Sequence, residues 1–337
     1  MVNISDVAQR LGVSRSTVSY ALSGKRPISE ETKERVHAAI REMDFWPSAA
    51  GRALATASTQ ILAVLAPMAA NATPEVALQF VNGVVQASRA CGYDVLLVTG
   101  DESFRSVQRL VRAKQVDGFI VLDVEEHDPR TKALQDAGAV ATLVGMPPEA
   151  GDLDRVDVDW GEAGALLIAE LAKLGHRSIC LLGAPEAAHK LGMTYAARFR
   201  NGVRDAADSS DVRVVEVAAV NDFFETVRTV ESLMARHPEM TAFVVQHEAA
   251  TAPLFSALSN AGAQVPLDYS VVGVSIDKLG LNFAPPVSGV RNPSSEMTRA
   301  AVEMLVDRLQ HPARDAQTLL LRPEYADHGT TAPSRTT

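Results

Sequence analysis

The sequence predicts an α/β protein in which a small three-helix unit precedes a body of doubly wound parallel sheets. Three observations carry this. Within the first 43 residues, apolar side chains recur at helical spacing in three short runs, each opened by a capping residue. From Ile61 onward, short β-rich apolar runs alternate with amphipathic stretches of helical length, the pattern of parallel strands covered on both faces. The alternation repeats too often for one compact sheet, so the body divides into two lobes.

The N-terminal unit is explicit about its boundaries. Asn3 can cap a helix with Ile4, Val7, Ala8 and Leu11 on one face. Asp6 follows three residues after the cap, where a negative charge suits the exposed amides, and Gly12 ends the run. Ser14 caps a second helix that buries Val18, Ala21 and Leu22 and stops at Gly24. Ser29 caps a third, with Glu30 and Glu31 at its positive end and Val36, Ala39, Ile40 and Met43 facing inward. Two helices joined by a short turn containing glycine, with a third closing the core, form a helix-turn-helix arrangement. Its second helix exposes Arg15, Ser16, Ser19 and Tyr20. The pattern alone leaves open a packing module that touches no DNA.

In the body, strands are expected at Ile61–Ala66, Tyr93–Thr99, Asp117–Leu122, Val140–Val144, Ser178–Leu182, Val212–Val217, Ala242–Val245 and Ser270–Ser275. Helices are expected between them, among others at Pro74–Cys91, Phe104–Lys114, Glu162–Leu174, Phe223–His237 and Ala250–Ala261.

Composition narrows the function. Hydrophobic residues at 47% and charged residues at 22% are ordinary for a globular chain. No apolar run approaches the roughly 20 residues that span a bilayer, and the polar start does not read as a signal peptide. The expectation is a cytoplasmic protein with no membrane partner. Cys91 and Cys180 stand alone, which gives no support for a disulfide framework or a metal site. The net charge of -9 hides an asymmetry: residues 1–57 carry +2 and the remainder -11. A basic head on an acidic body brings only the head to phosphate.

Nothing reads as an enzyme. There is no glycine-rich phosphate loop and no nucleophile elbow, and the eight histidines are scattered. His176, in a Leu-Gly-His-Arg turn, reads as structural. No catalytic residue, metal or cofactor is expected.

The run from Ile4 to Ser19, then Ala21-Leu-Ser-Gly-Lys25, Ile28-Ser-Glu-Glu-Thr32 and Pro47, resembles the headpiece of the LacI/GalR (lac repressor) family across its length. Segments of the body resemble that family too, among them Asp157-Val-Asp-Trp160, Leu174-Gly-His-Arg177 and Pro286-Val-Ser-Gly-Val-Arg291. The resemblance implies a sequence-specific transcription regulator, in all expectation a repressor. It would act as a homodimer on a pseudo-palindromic double-stranded operator under control of a small-molecule effector. It divides the chain into a headpiece over 1–45, a hinge helix over 46–57 and an effector-binding, dimerising body over 58–328. The body would resemble periplasmic binding proteins, with lobe 1 at about 58–157 and 285–313, lobe 2 at about 158–284 and 314–328, and three crossings. A disordered tail would occupy 329–337.

The same resemblance assigns roles. Ser14, Arg15, Ser16, Thr17, Ser19 and Tyr20 would face DNA, with Lys25 and Arg26 on phosphate and Leu54 wedged into the minor groove. Many relatives carry arginine where this chain has Tyr20, so the half-site cannot be carried over. The effector would meet Asn71, Phe80, Phe223, Gln246, His247, Ser275 and Asp277. Sugar-binding relatives usually place acids where this chain has His247, Ser275 and Ile276. The expectation is therefore a modified, anionic saccharide or other metabolite attracted by a protonated His247. A constitutive regulator with a decayed or non-sugar ligand pocket stays open as the second reading.

Overall fold

A computed structural model describes residues 3–23, 28–43, 58–66, 74–100, 103–276 and 286–335. The headpiece follows its caps. Helix α1 spans Ile4–Leu11, and Asn3 closes a reciprocal box with Asp6 before Gly12, at φ 65°, turns the chain out. Ser14 Oγ accepts from Thr17 N at 3.0 Å at the start of α2, Arg15–Ser23. Ser29 Oγ accepts from Thr32 N to open α3, Glu30–Glu42. Val7, Ala8, Val18, Ala21, Val36 and Ala39 form the core that the three helices share.

The body holds two six-stranded sheets. The first runs β11 (Thr318–Leu321), β5 (Asp154–Val158), β4 (Ala141–Val144), β3 (Gly118–Val121), β1 (Ile61–Leu65) and β2 (Asp94–Val98), all parallel. The second runs β12 (Tyr325–Ala326), β10 (Ser288–Asn292), β9 (Ser270–Ile276), β8 (Ala242–Val245), β6 (Ser178–Gly183) and β7 (Arg213–Ala218), parallel apart from β12. Helices α4 (Pro74–Ala90) and α12 (Ser294–Gln310) pack on the first sheet, with α5 (Ser103–Arg112) and α6 (Pro129–Asp136) among the elements covering its other face. On the second, α7 (Trp160–Lys173) and α9 (Thr194–Ser209) cover one face, and α10 (Phe223–Arg236) and α11 (Thr251–Asn260) the other. Helices α7 and α9 come close because Gly164 and Gly202 lie between them: a Cβ on Gly202 would stand 2.0 Å from the Gly161 carbonyl.

The chain passes between lobes three times, after Val158, after Asn292 and between Leu321 and Tyr325. This corrects the lobe boundaries expected from sequence. Ser288–Asn292 belongs to the second lobe, because it pairs with β9, and Gly289 at φ 151° lets its backbone lie against Gly273. Thr318–Leu321 belongs to the first, as the edge partner of β5. The expected disordered tail is also corrected over 329–335. Thr330 is fully buried: its Oγ1 donates to Val271 O at 2.7 Å and accepts from Ser288 N at 2.8 Å. The His176 ring meets Thr241 Oγ1 at 2.7 Å, Ser270 Oγ at 3.0 Å and Ala332 O at 3.1 Å, a structural staple.

Thr330→Val keeps the shape but strands a buried amide and a buried carbonyl. It should destabilise the body by about 1–3 kcal/mol, read by urea denaturation, whereas an ordinary floppy tail would give no change.

Candidate functional site

Two surfaces collect the residues singled out from sequence. On α2, burial of Val18 turns the other side outward: Ser14, Arg15 and Ser16 are exposed, and Thr17, Ser19 and Tyr20 half-buried. Positions one helical turn apart share a side, so Arg15 with Ser19 and Ser16 with Tyr20 line one polar face. The Ser14 hydroxyl lies 2.8 Å from those of Ser16 and Thr17, which fixes the entry to that face. Lys25, Arg26, Leu54 and the whole hinge segment 46–57 lie outside the described residues.

The second surface is a cavity between the lobes, at the carboxyl ends of the parallel strands, where doubly wound sheets hold ligands. From the first lobe it takes Phe80 on α4, Asp123 after β3 and Asp157 on β5. From the second it takes Trp160, Tyr195 and the Gln246-His247-Glu248 run that follows β8. Asn292, at the second crossing, completes the wall.

Each polar group there has a distinct state. Gln246 Oε1 accepts from Ala184 N at 3.0 Å, while its Nε2 has no partner among the described residues. Asn292 Oδ1 is likewise without a partner among the described residues. Both side chains are 6% exposed, so neither atom is compensated by bulk water. Asp157 accepts from Val158 N and Trp160 Nε1 at 2.8 Å and from Arg198 Nη1 at 3.0 Å. Burial nevertheless pushes its carboxyl up to about 6, against the pull of Arg198. Burial raises Glu248 to about 7 and also raises Asp123, opposed there by Arg130. Asp123 holds φ at 52°, a left-handed conformation uncommon outside glycine and tolerated by aspartate. The Tyr195 ring stands edge-on to Trp160, centroids 6.5 Å apart, and its hydroxyl is held protonated by burial and by the charges of Asp123 and Glu248.

Of the residues expected at the effector, Phe80, Gln246 and His247 meet in this cavity. Phe223 does not line it: it opens α10 at 45% exposure, edge-on to Phe224 at 5.5 Å. Asn71, Asp277 and the Ser275 side chain lie outside the described residues. The expected cationic His247 is overturned. Its Nε2–H donates to Asn221 Oδ1 at 2.7 Å, and burial drops it to about 4, so the ring is neutral near pH 7. Sequence reading missed Asp123, Asp157, Trp160, Tyr195, Glu248 and Asn292. The available signal was position, because Asp123 and the Gln246–Glu248 run directly follow strands. The described residues hold no cluster of His, Cys, Asp and Glu suited to a metal, and no described helix is long and apolar enough to cross a membrane. Cys180 is buried and its thiol is pushed up to about 12.

Comparison with known proteins matches residues 3–48 to a model of bacterial regulatory proteins of the lacI family, and residues 168–331 to a periplasmic binding protein-like domain. The ribose operon repressor of Escherichia coli strain K12 is 29% identical, covering 98% of this chain and 99% of its own. The lac repressor dimer bound to operator and the anti-inducer ONPF superposes with a TM-score of 0.80 at 20% identity, over 98% of this chain and 99% of its own. The transcriptional regulator CelR in complex with cellobiose gives 0.68 at 22% identity, over 98% and 100%.

The neutral His247 has a consequence for stability. Between pH 6.5 and about 4 the unfolded chain takes up a proton that the buried ring refuses, so stability is present above 6.5 and is lost on acidification. Asp157 and Glu248 act with the opposite sign, but they are common to wild type and variant. His247→Gln should therefore gain about 2–3 kcal/mol relative to wild type on going from pH 7 to pH 4, measured as a difference in unfolding free energy. A difference that does not vary with pH would place a charged His247 in the folded cleft.

Proposed function

We propose that the chain is a member of the LacI family of bacterial regulatory proteins, and that it represses transcription as a homodimer on a pseudo-palindromic operator. A small molecule bound between its lobes sets its operator affinity. One observation carries the reading. A single chain holds both a helix-turn-helix with an outward polar face and an interlobe cavity with two buried, unpartnered polar atoms. The first suits DNA, the second suits a ligand. The ribose operon relative is a repressor, and the CelR structure is a complex with cellobiose. The family is one of DNA-binding regulators rather than enzymes, and the cytoplasm is where such a protein meets its operator.

In this reading α2 enters the major groove. The Arg15 guanidinium can fork onto a guanine edge, whereas the Tyr20 hydroxyl offers a single polar contact. Ser14, Ser16, Thr17 and Ser19 add short hydroxyl contacts, and Lys25 and Arg26 add phosphate contacts. Residues 46–57 act as the hinge, with Leu54 as the minor-groove wedge. One helix of nine residues presents little surface, so two-fold pairing is needed to make binding tight. The body supplies a face for it. Strand β2 ends its sheet with Leu96 and Leu97 37% and 42% exposed, and Leu78 on α4 is 58% exposed. An apolar edge strand left bare invites uncontrolled pairing, which a symmetric partner prevents.

Operator selection on the full chain tests this. Arg15→Ala should change the preferred bases, at about 1–3 kcal/mol for a lost base contact. Arg26→Ala should weaken all sequences alike and reduce the salt dependence. If Arg15→Ala selects the same half-site as wild type, or if the operator-bound species is monomeric by sedimentation, the reading fails.

A further inference from the structure

The charge lining the interlobe cavity is one-sided. Three acidic residues line it, Asp123, Asp157 and Glu248, and no lysine or arginine does among the described residues. The nearest cations are already committed. Arg130 directs all five of its N–H groups to Asp128 and to the carbonyls of Leu65, Leu122 and Asp123. Arg198 is shared between Asp157 at 3.0 Å and Asp159 at 3.3 Å. The carboxyl groups of Asp123 and Glu248 therefore have no cationic partner bonded to them among the described residues. They sit on opposite lobes, after β3 and after β8, and both act on the hydroxyl of Tyr195.

A second feature points independently to a ligand. Gln246 Nε2 and Asn292 Oδ1, in side chains 94% buried, are a donor and an acceptor with nothing to bond among the described residues. A native interior seldom leaves such atoms idle. Phe80 from the first lobe and Trp160 and Tyr195 from the second line the same cavity, and aromatic faces attract cations where water is excluded.

We infer that the effector carries a positively charged nitrogen beside hydroxyl or amide groups, and that this nitrogen binds between Asp123 of one lobe and Glu248 of the other. The inference rests on the proposed effector control and names the ligand's class. It also supplies a coupling. Without ligand, burial penalises the charge of both acids, and neither has a cation bonded to its carboxyl among the described residues. An ammonium group between them offsets that penalty and ties one lobe to the other. The Gln246 amide then donates to a ligand oxygen, and Asn292 accepts from a ligand hydroxyl or amine. An anion finds no opposite charge on the described wall.

The test uses the full chain at neutral pH and matched probes at millimolar concentration: glucosamine with glucose, galactosamine with galactose, and putrescine with butane-1,4-diol. Glucose 6-phosphate serves as the anion. Thermal unfolding and operator binding are read together. At least one ammonium probe should raise the melting midpoint more than its neutral counterpart and change operator affinity, and glucose 6-phosphate should do neither. Glu248→Gln and Asp123→Asn should each weaken that probe about tenfold or more, as loss of a charge-assisted contact does. Both variants should still unfold in one cooperative thermal transition without ligand, which separates lost recognition from lost folding. Should one carboxamide variant fail to fold, the other decides. A neutral sugar that stabilises the chain and shifts operator binding as well as its amine, or no response to any ammonium probe, overturns the inference. In the former case effector control stands. If no probe of any charge alters operator affinity, effector control fails with it.

Discussion

The cleft end of the first lobe depends on one buried guanidinium. Arg130 is 3% exposed and grips Asp128 through two N–H groups, at 2.9 and 2.6 Å. Its remaining bonds gather the carbonyls of Leu65, Leu122 and Asp123. The Leu65 carbonyl also accepts from Leu122 N at 3.0 Å, so Arg130 reinforces at the carboxyl ends a junction of β1 and β3 that the backbone begins. Asp128 meanwhile caps α6 through Arg130 N. Removing either partner would leave a buried charge uncompensated, a far greater loss than the net worth of the pair. With the strand ends fixed, Asp123 can be held in its left-handed conformation at the cleft. The second lobe solves the same problem with a neutral group, Gln246, which clamps Ala184 N.

Between the lobes the chain passes through Asp157-Val-Asp-Trp160, where Asp157 binds Trp160 and Arg198 while Asp159 caps α7. Val156, Val158 and Trp160 belong to an apolar cluster that also includes Leu62 of β1 and Ile179 of β6. The first crossing is therefore packed on both sides, and it carries a carboxyl with a raised pKa beside the ligand cavity.

The headpiece was legible almost whole, because its information is local: each helix carries its own cap and its own apolar stripe. Eight body strands were legible for a related reason, since their apolar runs stand out from polar flanks. Others were not. Asp154–Val158 mixes two acids and Arg155 with valines, and Ser288–Asn292 is largely polar, so neither resembles a buried strand until its neighbour is known. Assigning β10 and β11 to lobes required pairings that local pattern does not contain, Gly289 on Gly273 and Leu319 on Val156. The polar tail misled in the same way, since its anchor His176 is 156 residues from Ala332. In the cleft, Gln246 and Phe80 came from resemblance, while the ionisation of His247 could be read only from its burial and its bond to Asn221.

The threading that builds the two lobes also sets a timetable for synthesis. Among the described residues, the headpiece core draws on none later than Met43. The first sheet awaits Thr318–Leu321 and the second awaits Thr330 and Ala332. Neither sheet has all its partners on a ribosome that still holds those residues. A nascent chain thus exposes a DNA-reading unit long before either half of its ligand cleft is complete.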